Sequence, residues 1–474
     1  MNKLLICIVL ISISLPGYAQ RFAQYNTGTL YDSFENPSQA AFIPDSSRQF
    51  ALNIIPNFTL NTYLQGNAQY TLKSRLFLGR YDNGAVTVGQ NQYNNVLANV
   101  NVYVGILKMF TSLSGKQEVG LSYQIKANGR GQVTDETIAL LNGLGKFTQN
   151  NYSDIFNSKA FYESFHQFSI TYREKVTRTL SFGVKLSALS GIAYQKINIV
   201  QSNINFDRQN DAANLAMRGV FQSTYALGQL SKRDLLPSLD HPGAAISLGA
   251  TLIGPAGIIM QGNIKDLGFI RWGADATTYS FGNGVPPVRI EGLSTPQRET
   301  NVTNALTTLF ERKPQTGAFV KPIVGRAEFS AAKKFMFGSI TYLPTAIISQ
   351  QIYGSGAAMA LVNQLDFGGF GTSISGLYNE DKLFDMGLQL MYKSPNFEFF
   401  VGSEQLGKTL NLYNASGNDE SAITKSMSHS GGNIYLGFSF KFGKRIERWK
   451  NESYYYNGSE QGPLGRAWNS AFNK

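Results

Sequence analysis

Charge is what this sequence has least of. Asp, Glu, Lys and Arg make up only 15% of its 474 residues, against about a quarter in an ordinary soluble domain. Part of its surface therefore meets something other than water. Long apolar runs are missing as well. A later uncharged stretch long enough to span a bilayer, residues 243–260, carries Gly249, Gly254, Pro255 and Gly257, and proline alone costs about 3 kcal/mol in a helix interior. A helical membrane protein is excluded, and Gly254-Pro255-Ala256-Gly257 reads as the turn of a hairpin. The single cysteine, Cys7, rules out a disulfide framework and a thiolate metal cluster. Histidine is scarce too: His166, His241 and His429 share no ligand spacing, and no metalloprotease, serine-hydrolase or nucleotide-binding phrase occurs. No catalytic, cofactor-binding or metal residue is expected. His166 shares parity with Phe168 and Ile170, where a barrel phospholipase would carry its base, but a histidine at the interfacial end of a strand is the simpler reading.

What is present begins with an address. Met1-Asn2-Lys3, the apolar residues 4–15 and Pro16-Gly17-Tyr18-Ala19 form the three parts of a secretory signal peptide, with cleavage near Ala19. The apolar run is too short to span a bilayer. Cys7 sits inside it rather than at the cleavage position, which argues against a lipid anchor.

Beyond the leader the dominant signal is a period of two. Phe50, Leu52, Ile54, Pro56, Phe58 and Leu60 alternate with polar positions that include Asn53, Asn57, Thr59 and Asn61. The pattern returns at Leu180, Phe182, Val184 and Leu186, and at Phe384, Met386, Leu388, Leu390 and Tyr392. It is cleanest at Ile434, Leu436, Phe438, Phe440 and Phe442 against Tyr435, Gly437, Ser439 and Lys441. Alternation alone also fits a soluble sandwich. These runs are long enough for a tilted strand to cross a bilayer, however, and the face opposite the apolar one is Gly, Ser, Asn and Gln, too polar and small to be a packed core. Lipid offers a backbone amide no partner, so the strands must close on one another. The expected fold is all-β: a transmembrane antiparallel β-barrel of about fourteen strands, twelve to sixteen being compatible with the pattern, in the outer membrane of a Gram-negative envelope.

The rest of the chain is organised around that barrel. After the signal peptide (1–19), residues 20–47 are polar and irregular and are expected to fold into the lumen as a plug, the other reading being a disordered periplasmic tether. Barrel residues span 48–442, and a basic, aromatic periplasmic tail follows at 443–474. Residues 65–100, 127–161 and 282–315 read as long loops with short helices at 136–144 and 304–311. Residues 215–228 are either a crossing strand or one arm of a protruding hairpin with residues 197–206. The net charge of +11 comes without a nucleic-acid fold. Outer-membrane lipid and anionic lipopolysaccharide are the partners it fits better.

Specific phrases add a resemblance. Asn36-Pro37-Ser38-Gln39-Ala40-Ala41, Phe77-Leu78-Gly79-Arg80-Tyr81-Asp82, Phe168-Ser169-Ile170-Thr171-Tyr172-Arg173 with the following Leu189-Ser190-Gly191, and Asp266-Leu267-Gly268-Phe269-Ile270-Arg271-Trp272 resemble an uncharacterised outer-membrane β-barrel family. That family is itself similar to the FadL-like fatty-acid transporters and the PorV-type barrels of type IX secretion. The resemblance implies fourteen strands, an N-terminal plug and passive uptake of hydrophobic or amphipathic small molecules, which would need an apolar pocket between plug and wall. The alternative is a structural or shuttle component of a secretion or gliding assembly, with a periplasmic or secretion-system protein as partner. Asn36 and Pro37 are the candidate ligand contacts, although a turn in which Asn caps the chain and Pro fixes φ is the simpler reading. Asp266, Gly268 and Trp272 are expected to form a strand-end turn, with Asp266 accepting backbone amides and Gly268 at positive φ.

Overall fold

The computed structural model describes residues 27–42, 48–82, 84–111, 116–225, 234–282, 286–310, 314–353, 356–379, 384–424, 429–445 and 462–472. The signal peptide and the aromatic run Tyr454-Tyr455-Tyr456 lie outside the described residues. The alternating runs all become strands, and these form one closed ladder. In chain order the wall is β1 (Arg48–Gln65), β2 (Tyr93–Phe110), β3 (Gln117–Thr134), β4 (Lys159–Lys175), β5 (Leu180–Asp207), β6 (Pro242–Ile253) and β7 (Ile258–Trp272). It continues through β8 (Gly325–Lys333), β9 (Ile340–Ile352), β10 (Ala357–Phe367), β11 (Phe370–Asn379), β12 (Phe384–Lys393), β13 (Phe397–Ser403) and β14 (His429–Arg445). Each pairs antiparallel with the next, and β14 pairs back onto β1, with Leu60 opposite Ile434 and Asn61 opposite Asn433. A fourteen-stranded barrel without a free edge results. The last strand runs to Arg445, three residues past the expected boundary at Phe442.

Burial sorts the two faces as the parity requires. Ile348, Met359, Leu361, Ile374, Met386 and Leu390 point outward and are exposed, whereas the intervening Ser349, Gln364, Ser373, Ser375 and Gln389 face the lumen and are buried. Short turns at 176–179, 254–257, 368–369 and 394–396 share one end, and the long connections share the other. In outer-membrane barrels the former end is periplasmic and the latter extracellular.

Alternation hides one irregularity. In β1 the pairing breaks between Leu52 and Asn57, because Pro56 has no amide to give the ladder. Ile54, Ile55 and Pro56 consequently all face outward. Asn53 repairs the gap: its Nδ2 donates to the Tyr103 carbonyl at 3.1 Å, and its Oδ1 accepts from the Ile106 amide at 2.6 Å. A side chain thus replaces ladder bonds that lipid cannot.

Several expected loop residues are strand. The hairpin of β2 and β3 continues to Tyr93 opposite Thr134, well beyond the alternating segment. Above the bilayer both faces of a strand meet water or protein, so alternation is no longer required there. In β5, residues 180–190 pair with β6, while residues 195–207 pair on that side with Ala212–Ser223 instead, residues 195–198 staying paired with β4 on the other. Residues 212–223 are therefore an arm of a protruding hairpin and not a crossing strand; a crossing there would have put the Gly254-Pro255 turn at the long-loop end, whereas it lies with the short turns.

Helices cap the long-loop end: α1 (Asp32–Glu35) lies below in the lumen, and α2 (Gln69–Leu78), α3 (Asp135–Leu141), α4 (Arg298–Phe310), α5 (Leu406–Ser416) and α6 (Glu420–Thr424) lie above. The expected helices at 136–144 and 304–311 correspond to α3 and α4 with shifted bounds. Their apolar faces meet the protruding hairpin in a buried cluster that includes Leu72, Ile138, Phe206, Leu215, Phe281, Val302 and Phe310. Arg75 ties α2 to α4 through a two-pronged contact with Glu299, at 2.9 and 3.0 Å. The phrase Phe77 to Asp82 is less a loop than a helix end: Gly79 at φ 69° stops α2, and the Asp82 amide donates to Ser74 Oγ at 2.9 Å.

Two expectations follow. Ile374→Arg, at mid-strand on the lipid face, should cost about 2–4 kcal/mol of stability in bilayers, while Ser375→Ala should leave heat-modifiable electrophoretic migration unchanged; equal effects would mean the faces are exchanged. In the cap, burial and then the charge of Lys408 lower the Lys73 ammonium from its ordinary 10.5 to about 8. Between those values the unfolded cap holds the extra proton, so stability rises with pH. Hydrogen exchange of residues 69–78 should accordingly slow as pH is raised through that window, after correction for intrinsic rates, and Lys408→Gln should reduce the slope.

Candidate functional site: the luminal segment and the mouth

An irregular segment inside a barrel presents backbone groups that no ladder satisfies, and each must find a partner. Residues 27–42 meet this requirement through side chains of the wall. Arg173 Nε donates to the Ser38 carbonyl at 2.8 Å, Lys393 Nζ to that of Thr27 at 2.6 Å, Lys441 Nζ to that of Ala41 at 3.2 Å and Lys185 Nζ to that of Phe34 at 3.5 Å. In the opposite sense Glu398 accepts from the Leu30 amide at 2.9 Å and Glu118 from that of Ala41 at 3.2 Å. The occasional charges of the luminal face thus hold this segment. Tyr31, Phe34 and Phe42 pack on Tyr103, Phe400 and Phe110 of the wall, forming a buried aromatic cluster in an otherwise polar interior.

Most of these charges are paired among themselves, as burial demands. Glu118 meets Lys108 at 3.0 Å and Arg173 at 3.5 Å. Lys265 meets Glu328 at 2.8 Å and Glu35 of α1 at 3.5 Å, and Lys441 meets Glu398. Asp266 binds Lys126 at 2.5 Å and Lys185 at 3.5 Å, with Gln167 donating at 2.9 Å. Losing one partner of such a set costs about 3–5 kcal/mol because its counter-charge stays buried.

Asn36 and Pro37 lie in the middle of the segment. Asn36 Oδ1 accepts from the Ser38 amide at 3.1 Å and its hydroxyl at 2.8 Å, and that hydroxyl also meets Thr251 of the wall at 2.7 Å. The turn is pressed against two cross-strand glycines. A Cβ at Gly183 would lie 2.0 Å from the Pro37 carbonyl oxygen, and one at Gly249 2.4 Å from Asn36 Oδ1, the two positions being opposite each other in the ladder. No larger residue fits without moving the segment.

The Asp266 phrase is not a strand-end turn. It lies inside β7 as a bulge where pairing with β6 shifts between Ile246 and Leu248. Positive φ belongs to Asp266 itself, at 52°, and not to Gly268; Gly268 is required because a Cβ there would lie 2.3 Å from the Ala244 carbonyl oxygen. The bulge turns both Lys265 and Asp266 toward the lumen. Trp272 ends the strand on the same side, buried against Tyr194 and His241. His166 is held by Tyr123 Oη at 3.0 Å on Nδ1 and by the Leu235 carbonyl at 3.1 Å on Nε2. Its cross-strand neighbour Ser190 donates to the Ser238 carbonyl at 2.7 Å. The pair fastens residues 235–238 to the outside of the wall, and no nucleophile–base contact forms.

Sequence reasoning missed the feature at the mouth. On the luminal face, the rung of Arg130, Phe161 and Lys196 and the next rung of Gln132, Lys159 and Asn198 border a cavity of about 420 Å³, floored by Gly131, Ala160 and Ile197. Its lining carries three cations, one aromatic ring and, among the described residues, no carboxylate. The volume is within the range of small-molecule sites. It lies above the luminal segment, at the mouth, and is basic on its rim, unlike the apolar pocket between plug and wall that the sequence suggested. The basic types were visible in sequence, but only the register aligns residues 130, 161 and 196.

Seating of the segment can be tested directly. Ser33→Cys, in a chain whose Cys7 is replaced by serine, occupies a fully buried position and should resist a water-soluble maleimide. Adding Gly183→Val should make it reactive while heat-modifiable migration persists; continued protection would place residues 27–42 elsewhere.

No curated protein matches the chain. Among solved structures the chain is similar to a deltaS2S3 mutant of the monoaromatic hydrocarbon channel TodX, at 9% identity and TM-score 0.45 over 92% of this chain and 98% of that one. It is similar to a FadL homologue of Pseudomonas aeruginosa, at 10% identity and TM-score 0.45 over 90% and 100%, and to the toluene transporter TodX of P. putida, at 9% and 0.41 over 90% and 95%. The fold rests on the strand ladder and not on these likenesses. Across residues 41–404, from the end of the luminal segment to the last long connection, the chain matches and belongs to a family of unknown function, DUF5723.

Proposed function

We propose that this outer-membrane barrel passively takes up hydrophobic or amphipathic small molecules through a lumen that residues 27–42 keep closed as a plug, and that the mouth cavity is where they are first held. The observation that carries this reading is the cavity itself: one aromatic wall and three cations, on the luminal side of the mouth, above a segment fixed to the wall by hydrogen bonds. A ring and aliphatic stems take up an apolar body, and Arg130, Lys159 and Lys196 favour an anionic head. Amphiphiles with a carboxylate, sulfonate or phosphate head are thus preferred over neutral ones. Passage beyond the cavity requires the segment to shift, and its bonds to Arg173, Lys393 and Lys441 are the ones that must break.

The test uses the purified full chain and two fluorescent probes of similar ring system, anionic anilinonaphthalene sulfonate and neutral phenylnaphthylamine. Lys159→Glu with Lys196→Glu should weaken the anionic probe about tenfold, equivalent to about 1.4 kcal/mol, with little change for the neutral one. Equal affinities before and after substitution for both probes would remove the cavity from the path.

A further inference from the structure

The C-terminal helix α7 (Pro463–Phe472) is not explained by uptake. Its apolar residues Leu464, Ala467, Trp468, Ala471 and Phe472 recur at the three- and four-residue spacing of a single stripe, with Arg466, Asn469 and Ser470 off it. It docks at the short-turn rim on the outside of the wall. Glu174 is the anchor: its two carboxylate oxygens accept from the Leu464 amide at 3.0 Å and the Gly465 amide at 3.1 Å, and Tyr172 Oη donates to it at 3.0 Å. Glu174 has the parity of Phe168, Ile170 and Tyr172, the lipid-facing series of β4, and is almost wholly buried. A carboxylate on that face is costly unless neutralised, and the first turn of a helix supplies both amides and the positive end of its dipole.

From that anchor the stripe continues the lipid-facing wall. Trp468 packs on Phe182, the cross-strand partner of Glu174, with ring centroids 5.5 Å apart. Trp468 also packs on Phe472, with ring centroids 4.3 Å apart and the planes tilted by 34°, yet Phe472 remains 67% exposed. An amphipathic helix with tryptophan at its middle, lying along the rim of a barrel, has the geometry of an interfacial element.

We propose that α7 lies in the periplasmic leaflet of the outer membrane, its stripe covered by phospholipid acyl chains and its N-terminus fixed by Glu174, so that the tail anchors the barrel's inner rim to lipid. The occupant is a lipid surface because the stripe is continuous with the wall that faces lipid, at Phe182 and the Tyr172 rung above it.

The experiment places the full chain, with Trp272→Phe and Trp449→Phe so that Trp468 is the only tryptophan, in phosphatidylcholine vesicles brominated either near the headgroup or near the chain end. Headgroup-proximal bromine should quench Trp468 emission about twofold more than chain-end bromine, and aqueous acrylamide should quench it weakly. Adding Glu174→Gln should weaken quenching by headgroup-proximal bromine and strengthen quenching by acrylamide while heat-modifiable migration is retained. Should the double substitution fail to fold, the difference in quenching between the native chain and Trp468→Phe gives the same reading. Strong acrylamide quenching with none from either bromolipid would overturn the proposal, as would protection from both accompanied by a stoichiometric protein partner on the helix.

Discussion

Hydrocarbon gives a peptide group nothing to bond to, and the molecule is arranged around that fact. Fourteen strands pair in sequence and the last returns to the first, because an open edge in lipid would leave a row of amides and carbonyls unpaired, each at a cost of several kcal/mol. Where the ladder fails locally, the repair is local too. Pro56 removes a donor in β1, and Asn53 fills the opening with its own amide. The bulge at Asp266 instead spends its irregularity on the lumen, where it turns Lys265 and Asp266 inward together.

Closure creates an interior with its own rules. A lumen that is neither lipid nor bulk water suits polar side chains, and here the charged ones form a framework for residues 27–42. Buried ion pairs add little net stability, since desolvation offsets most of their attraction. What they add is position: Arg173, Lys185, Lys393 and Lys441 reach main-chain carbonyls that only one placement of the segment offers them. The cross-strand pair Gly183 and Gly249 gives that placement its room. The luminal segment and the basic cavity at the mouth therefore draw on one luminal face, the first held by wall side chains that reach its main chain and the second bordered by Arg130, Lys159 and Lys196.

Legibility followed the solvent. Where lipid lies on one side of a strand, as at Ile434 to Phe442, alternation is compulsory and can be read directly. Above the bilayer that demand vanishes, so the upper parts of β2 and β3, rich in Asn and Gly, looked like loop though they are paired to their tips. The luminal charges were visible as occasional Lys and Asp on the polar face, but the joining of Asp266 to Lys126 and Lys185 depends on register between strands far apart in the chain. In the same way, Leu464, Ala467, Trp468, Ala471 and Phe472 spell an amphipathic helix, while nothing in their order names Glu174 as its anchor.

The seam between the first and last strands is where closure is decided, and amide hydrogen exchange in detergent reads it without altering a residue. Amides of residues 58–60 and 434–436, which face each other across that seam, should exchange as slowly as those of residues 361–365 in the middle of the wall. Fast exchange confined to the seam would show an open sheet, and the separation of lipid from lumen on which everything else stands would be lost.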